Sequence, residues 1–124
     1  MSEAETLLAV QLDQAGIPYE REYRFAPPRR WRADFMVSAG WMVRNSQGQS
    51  VKVTDGDLLI EVEGGSYTGG HKRGKAYESD CDKNNAAMDL GWRVYRFTPA
   101  HVEDGRALEV IRAALGLGEG GEAA

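Results

Sequence analysis

The chain has 124 residues, enough for one hydrophobic core and too few for two, and its 42 % apolar and 27 % charged content is that of a folded domain rather than a disordered one. A net charge of −4 argues against a protein that coats nucleic acid, because such affinity comes mainly from phosphate neutralisation by Lys and Arg. No apolar run approaches the ~18 residues of a membrane span, the acidic start MSEAE lacks the basic opening of a signal peptide, and the single Cys81 can form no internal disulfide. A cytoplasmic protein without membrane contact is expected.

In chain order, Ser2 and Glu5 with the apolar series Ala4, Leu7, Leu8, Leu12 and Ala15 predict an amphipathic helix opened by a capping box and closed by Gly16 and Pro18. YEREYRF sets Tyr19, Arg21, Tyr23 and Phe25 against Glu20, Glu22 and Arg24, as in a strand with one aromatic face ended by Pro27 and Pro28. RADFMV is a second strand, and WMVRNSQGQSVKV a hairpin turning at NSQG. LLIEVE follows as a strand. The glycine-rich, basic stretch GGSYTGGHKRGK reads as a mobile loop. Tyr77, Cys81, Asn84 or Asn85, and Met88 recur at helical spacing from about Ala76 to Leu90, with Cys81 expected to pack within that helix and Gly91 to end it. WRVYRF is the last strand, Thr98 and Pro99 start a last helix with an apolar face of Ala107, Leu108, Ile111, Ala114 and Leu115, and residues 118–124 form a flexible tail. One domain over residues 1–117 is expected: an α/β fold with a mixed central sheet flanked by helices, LLIEVE near its middle and joined to WRVYRF through a crossover helix.

LLIEVEGG is the most informative stretch. Period-two alternation puts Glu61 and Glu63 on one face, roughly 6.6 to 7 Å apart along the strand, a span over which two glutamates can converge on one hard divalent cation. A half-buried strand with an acidic, solvated face is the plainer reading of the same pattern. Asp34, in the otherwise apolar RADFM, meets Glu61 if the two strands are neighbours, and Glu63 or a backbone carbonyl can then complete a cation's shell. Charge is unevenly spread: Arg21, Arg24, Arg29, Arg30 and Arg32 cluster around Glu22, and His71, Lys72, Arg73 and Lys75 form a second basic group. An acidic centre with basic flanks suits metal-dependent phosphodiester cleavage. GGHKRGKA matches a phosphate-binding loop in spacing, but Ala76 replaces the Ser or Thr that would ligate magnesium, which excludes that reading.

An aspartate, a strand glutamate and a residue two further on form the pattern of the PD-(D/E)XK nuclease superfamily. With REYRFAPPRRWRADF, EVEGG, GGHKRG and DCDKNNAAMDLGWRVYRFTP, the chain resembles that superfamily from about Glu5 to Leu115. It is more closely similar to a small stand-alone branch found in phages and prophages and related to very-short-patch-repair-like endonucleases. The resemblance implies a restriction-endonuclease-like fold, a bacterial or phage-encoded protein, and Mg2+ (or Mn2+) at Asp34, Glu61 and Glu63. Glu63 stands where most of the superfamily has lysine; Lys83, on the following helix, is the candidate replacement. Glu5 would be an auxiliary acid, and His71 occupies a loop position where relatives also carry histidine. The long hairpin between Asp34 and Glu61 departs from the compact pattern.

Plainer readings stand beside these roles. Glu5 completes a capping box, Lys83 is a solvated helix lysine, and His71 is an exposed loop residue that could also act beside phosphate. Trp31, Trp41 and Trp92 suit packing, with Trp31, amid arginines, the best candidate to stack on a base. The expected activity is magnesium-dependent DNA endonuclease, with Arg29, Arg30, Arg32, Lys72, Arg73 and Lys75 on DNA phosphates. The alternatives are a branched-DNA resolvase using the same site as a homodimer, and a non-catalytic DNA-binding module with a degenerate site.

Overall fold

The structure, a computed structural model, describes residues 2–39, 41–44, 46–53, 57–63 and 74–117. Helix α1 (Glu3–Ala15) starts where Ser2 Oγ accepts from the Glu5 amide at 3.1 Å and ends at Gly16, whose φ of 74° is the left-handed turn that glycine adopts without a Cβ clash. The chain continues through β1 (Glu20–Arg24), β2 (Arg32–Val37), the hairpin β3 (Trp41–Arg44) and β4 (Ser50–Val53), and β5 (Leu58–Val62). It then runs through α2 (Gly74–Asp89), β6 (Arg93–Phe97), α3 (Pro99–Glu103) and α4 (Arg106–Ala114). The expected last helix is thus two, parted at Gly105 with φ 87°. The predicted flexible tail, 118–124, lies outside the described residues.

The fold is mixed α/β. Its four-stranded sheet has the order β1-β2-β5-β6, antiparallel from β1 to β5 and parallel between β5 and β6, with α2 as the crossover; β3 and β4 pair as a separate two-stranded sheet. Both faces of the main sheet are covered. Leu8 and Leu12 of α1, Val102 of α3 and Ile111 of α4 bury against Phe35, Val37, Leu58, Ile60 and Phe97 on one face. On the other, Leu59 and Ala33 pack with Phe25 and with Ala87 of α2. Among the described residues, no helix is long and apolar enough to cross a membrane.

One expectation fails in an instructive way. The aromatic residues of β1 do not share a face: Tyr19 packs in the main core at 5.5 Å from Phe35, whereas Tyr23 and Phe25 belong to the opposite cluster. Arg21 lies over the Phe35 ring at 4.6 Å, while Tyr23, two residues on, meets Trp92 at 5.6 Å. Period two would have kept them together. Glu22 sits between them at φ 50°, a left-handed backbone that resets the alternation. Phe35 and Ala33 on β2 divide between the two clusters in the same way, and Asp34 lies between them. The register pairs Arg21 with Phe35 and Tyr23 with Ala33, so the two strands bend together at Glu22 and Asp34.

Helix α2 is also turned differently from the expectation. Cys81 is exposed, as are Tyr77 (52 %) and Met88 (54 %), and the inward face is Asp80, Lys83, Asn84 and the buried Ala87. Small Ala87 lets the helix approach the sheet, and its polar neighbours find charged partners there.

Candidate active site

The shared bend of β1 and β2 gathers carboxylates. Oxygens of Glu5 on α1, Glu22 on β1 and Asp34 on β2 lie within 4.8 Å of one another. Asp34 Oδ2 also accepts from the Val62 amide of β5 at 2.7 Å, tying the aspartate to the strand that carries Glu61. Continuing the β2–β5 register one step beyond Phe35 and Ile60 sets Asp34 opposite Glu61. The expected Asp34–Glu61 juxtaposition is therefore present.

Each of three acids faces a cation from another element. Glu5 pairs with Arg21 at 3.2 Å, and Glu61 with Lys83 at 2.8 Å. Glu63 lies just past the end of β5, and its Oε2 accepts from Arg96 Nε at 2.9 Å and lies 2.9 Å from Nη2, which donates to Asp80 Oδ2 at 3.3 Å. The acidic, solvated face is not what forms, since the Glu61 and Glu63 side chains are only 20 % and 23 % exposed. Glu61, Lys83, Asn84, Asp80 and Arg96 rim a pocket floored by Phe25, Leu59, Ala87 and Val94.

Burial raises the pKa of Asp34; the Val62 N–H opposes the rise, and the nearby charges of Glu5 and Glu22 add to it. Burial likewise raises Glu61, against the hydrogen bond and charge of Lys83. For Arg96, burial works against the charge, but Glu63 and Asp80 outweigh it and lift the guanidinium above its ordinary value.

Hard oxygen donors suit Mg2+ or Mn2+. The Glu5, Glu22 and Asp34 carboxylates could each offer one oxygen to such an ion. The structure groups the acids differently from the sequence reading: Asp34 lies with Glu5 and Glu22, whereas Glu61 and Glu63 are occupied by Lys83 and Arg96. Lys83, the sequence candidate to replace the missing strand lysine, pairs with Glu61.

Of the basic candidates, Arg29, Arg30, Arg32 and Lys75 are exposed; Arg32 lies 3.9 Å from Glu22. The Arg29 guanidinium sits 4.0 Å over the Trp31 ring, which also stacks with Phe25, so Trp31 is engaged in packing rather than offered to a base. His71, Lys72 and Arg73, with the rest of the 64–73 stretch, lie outside the described residues.

Sequence reasoning missed Glu22, Asp80 and Arg96 as members of this constellation. Asp80, Lys83, Asn84 and Ala87 do carry a signal, a polar i, i+3, i+4, i+7 face closed by a small residue. Glu22 carried none, because nothing in EREYR announces a positive φ. Comparison with family models, curated proteins and solved structures returned no match.

Proposed function

We propose that the chain is a metal-dependent DNA endonuclease with a restriction-endonuclease-like fold. The observation that carries this reading is the register that sets Asp34 on β2 opposite Glu61 on the neighbouring β5, with α2 delivering Lys83 to Glu61 at 2.8 Å. The β1-β2-β5 meander with a parallel β6 beyond a crossover helix is further support.

Asp34, with Glu5 and Glu22, would hold the divalent ion, and Glu61 would join when Lys83 turns from it toward the substrate. A bound Mg2+ supplies charge stabilisation at the scissile phosphate and a more acidic water. Lys83 orients the nucleophile or neutralises developing charge, and a bound cation would offset the burial that raises the Asp34 and Glu61 carboxyls. The exposed Arg29, Arg30, Arg32 and Lys75, with Lys72 and Arg73, grip flanking phosphates without reading sequence.

A non-catalytic DNA-binding module is the second reading, favoured by one specific observation: Glu5, Glu61 and Glu63 already have cationic partners and so do not require a metal. Cleavage of plasmid DNA in magnesium separates the two. Wild type is expected to cut, and Glu61→Gln to lose cutting while retaining DNA binding. A Glu61→Gln variant that cuts at the wild-type rate would refute the role given to Glu61.

A further inference from the structure

We infer that Arg96 is a phosphate-binding residue of this site and that Glu63, in the position where a lysine was expected, is a positioning residue that holds it there. The inference rests on the nuclease reading and deepens it. Arg96 stands on β6 directly beside Glu61 in the parallel register and rims the same pocket as Glu61, Lys83 and Asn84. Glu63 accepts from its Nε and Asp80 from its Nη2, which fixes the plane of the guanidinium from two elements, the end of β5 and α2.

A guanidinium has five N–H donors in a rigid fork. The contacts described account for Nε and Nη2, and among the described residues none falls on Nη1. The Arg96 side chain is 40 % exposed and lines the pocket beside Glu61 and Lys83. An already ordered fork loses little freedom on meeting an anion, and its two Nη1 hydrogens suit the oxygens of a phosphodiester. The neighbouring acids set the scope of this contact. With two carboxylates on one cation the local charge is negative, so Arg96 would not capture small anions in bulk solution, but would engage a phosphate delivered by DNA that other cations also hold.

Glu63 thereby gains a role other than metal ligation. A lysine at that position would project its own charge toward Glu61; here the strand residue is an acid, and the cation arrives from the neighbouring strand instead.

The test is equilibrium binding of a fluorescent DNA duplex in chelator across a salt series, so that no cleavage is needed, with wild-type plasmid cutting in magnesium measured beside it. Arg96→Gln is expected to weaken binding on the order of tenfold and to reduce the slope of log K against log salt by about 0.9, the signature of one lost phosphate contact. Glu63→Gln retains the cation, so the wild-type slope is expected with an affinity a few-fold weaker. Arg96→Lys, which preserves charge and guards against a misfolded Arg96→Gln, is expected to keep the slope and still bind more weakly, because one ammonium cannot reproduce the fork. If wild type binds and cuts DNA while Arg96→Gln, or a folded Arg96→Lys, matches it in affinity and slope, Arg96 is only an internal ion-pair partner and the inference falls alone. If wild type neither binds nor cuts DNA, the nuclease reading falls and takes this inference with it.

Discussion

Replacing Lys83 by methionine removes the charge that Glu61 faces while keeping an unbranched stem. The pair is 2.8 Å long, and its side chains are 21 % and 20 % exposed. Exposed pairs contribute ~0–1 kcal/mol, and breaking a fully buried pair by removing one partner costs ~3–5 kcal/mol; a pair covered to this degree falls between, at about 2 kcal/mol. An unfolding entropy of ~2.1 cal/mol/K per residue amounts to ~260 cal/mol/K for the 124-residue chain, so the loss corresponds to a Tm lower by about 8 °C. Lys83 is also what holds the buried Glu61 carboxyl down, and its removal lets that pKa rise further. A carboxylate whose folded pKa is raised contributes stability that is complete below its unfolded pKa and lost as pH rises through the folded one. The Lys83→Met deficit is therefore expected to be largest near neutral pH and to shrink as the pH falls through the range where Glu61 gains its proton. Thermal unfolding followed by circular dichroism, near neutral pH and again at about pH 4, reads both. The double variant Glu61→Gln/Lys83→Met should recover most of the loss, because no unpaired charge remains. Manganese should stabilise Lys83→Met more than wild type, since the ion no longer competes with a lysine. A wild-type Tm for Lys83→Met, or an equal deficit at both pH values, would refute the reasoning.

Two more substitutions test the bend that forms the site. Asp34→Asn keeps an acceptor for the Val62 amide and removes a carboxylate whose pKa burial raises, so in chelator it should melt above wild type near neutral pH, with the gain fading below about pH 4, the ordinary Asp range; a lower Tm near neutral pH would contradict it. Glu22 holds φ 50°, so the β-branched Glu22→Ile should cost on the order of 1 kcal/mol or more while Glu22→Gly is neutral or stabilising; denaturant midpoints for the pair decide the matter, and equal losses would show that the left-handed backbone is not what holds this residue.

The sheet was largely legible because it rests on short-range patterns. LLIEV, RADFMV and RVYRF each became a strand, and WMVR pairs with SVKV as the expected hairpin. LLIEV took the interior place that its run of apolar residues implies, since Leu58, Leu59 and Ile60 are all buried and both faces must be covered. The rotation of α2 was not legible. Tyr77, Cys81 and Met88 look like a core stripe, yet what turns inward is the face whose polar groups find opposite charges at Glu61 and Arg96 and whose Ala87 permits a close approach. Hydrophobic spacing reports a helix; it does not say which face wins when ion pairs compete with apolar burial. The aromatic face of β1 failed for a related reason, because one residue with positive φ inverts every side chain beyond it.

For the site, Asp34, Glu61 and Glu63 were legible, whereas Glu22, Asp80 and the pairing of acids with cations were not. Asp34 and Glu61 stand out in sequence as charges within apolar strands, a local contrast. Arg21, Lys83 and Arg96 come to pair with Glu5, Glu61 and Glu63 only through register, helix rotation and the bend at Glu22, which are properties of the assembled sheet. The distinction bears on mechanism. A site whose glutamates already hold arginine or lysine exchanges partners when it binds: a divalent ion must displace a side-chain cation from its acid, and the displaced cation needs an anion. In the proposed nuclease, a DNA phosphate would supply that anion. In the proposed reading, metal and DNA therefore favour each other's binding, because each takes the partner the other would leave uncompensated, and the ion should bind more tightly with DNA present than without it.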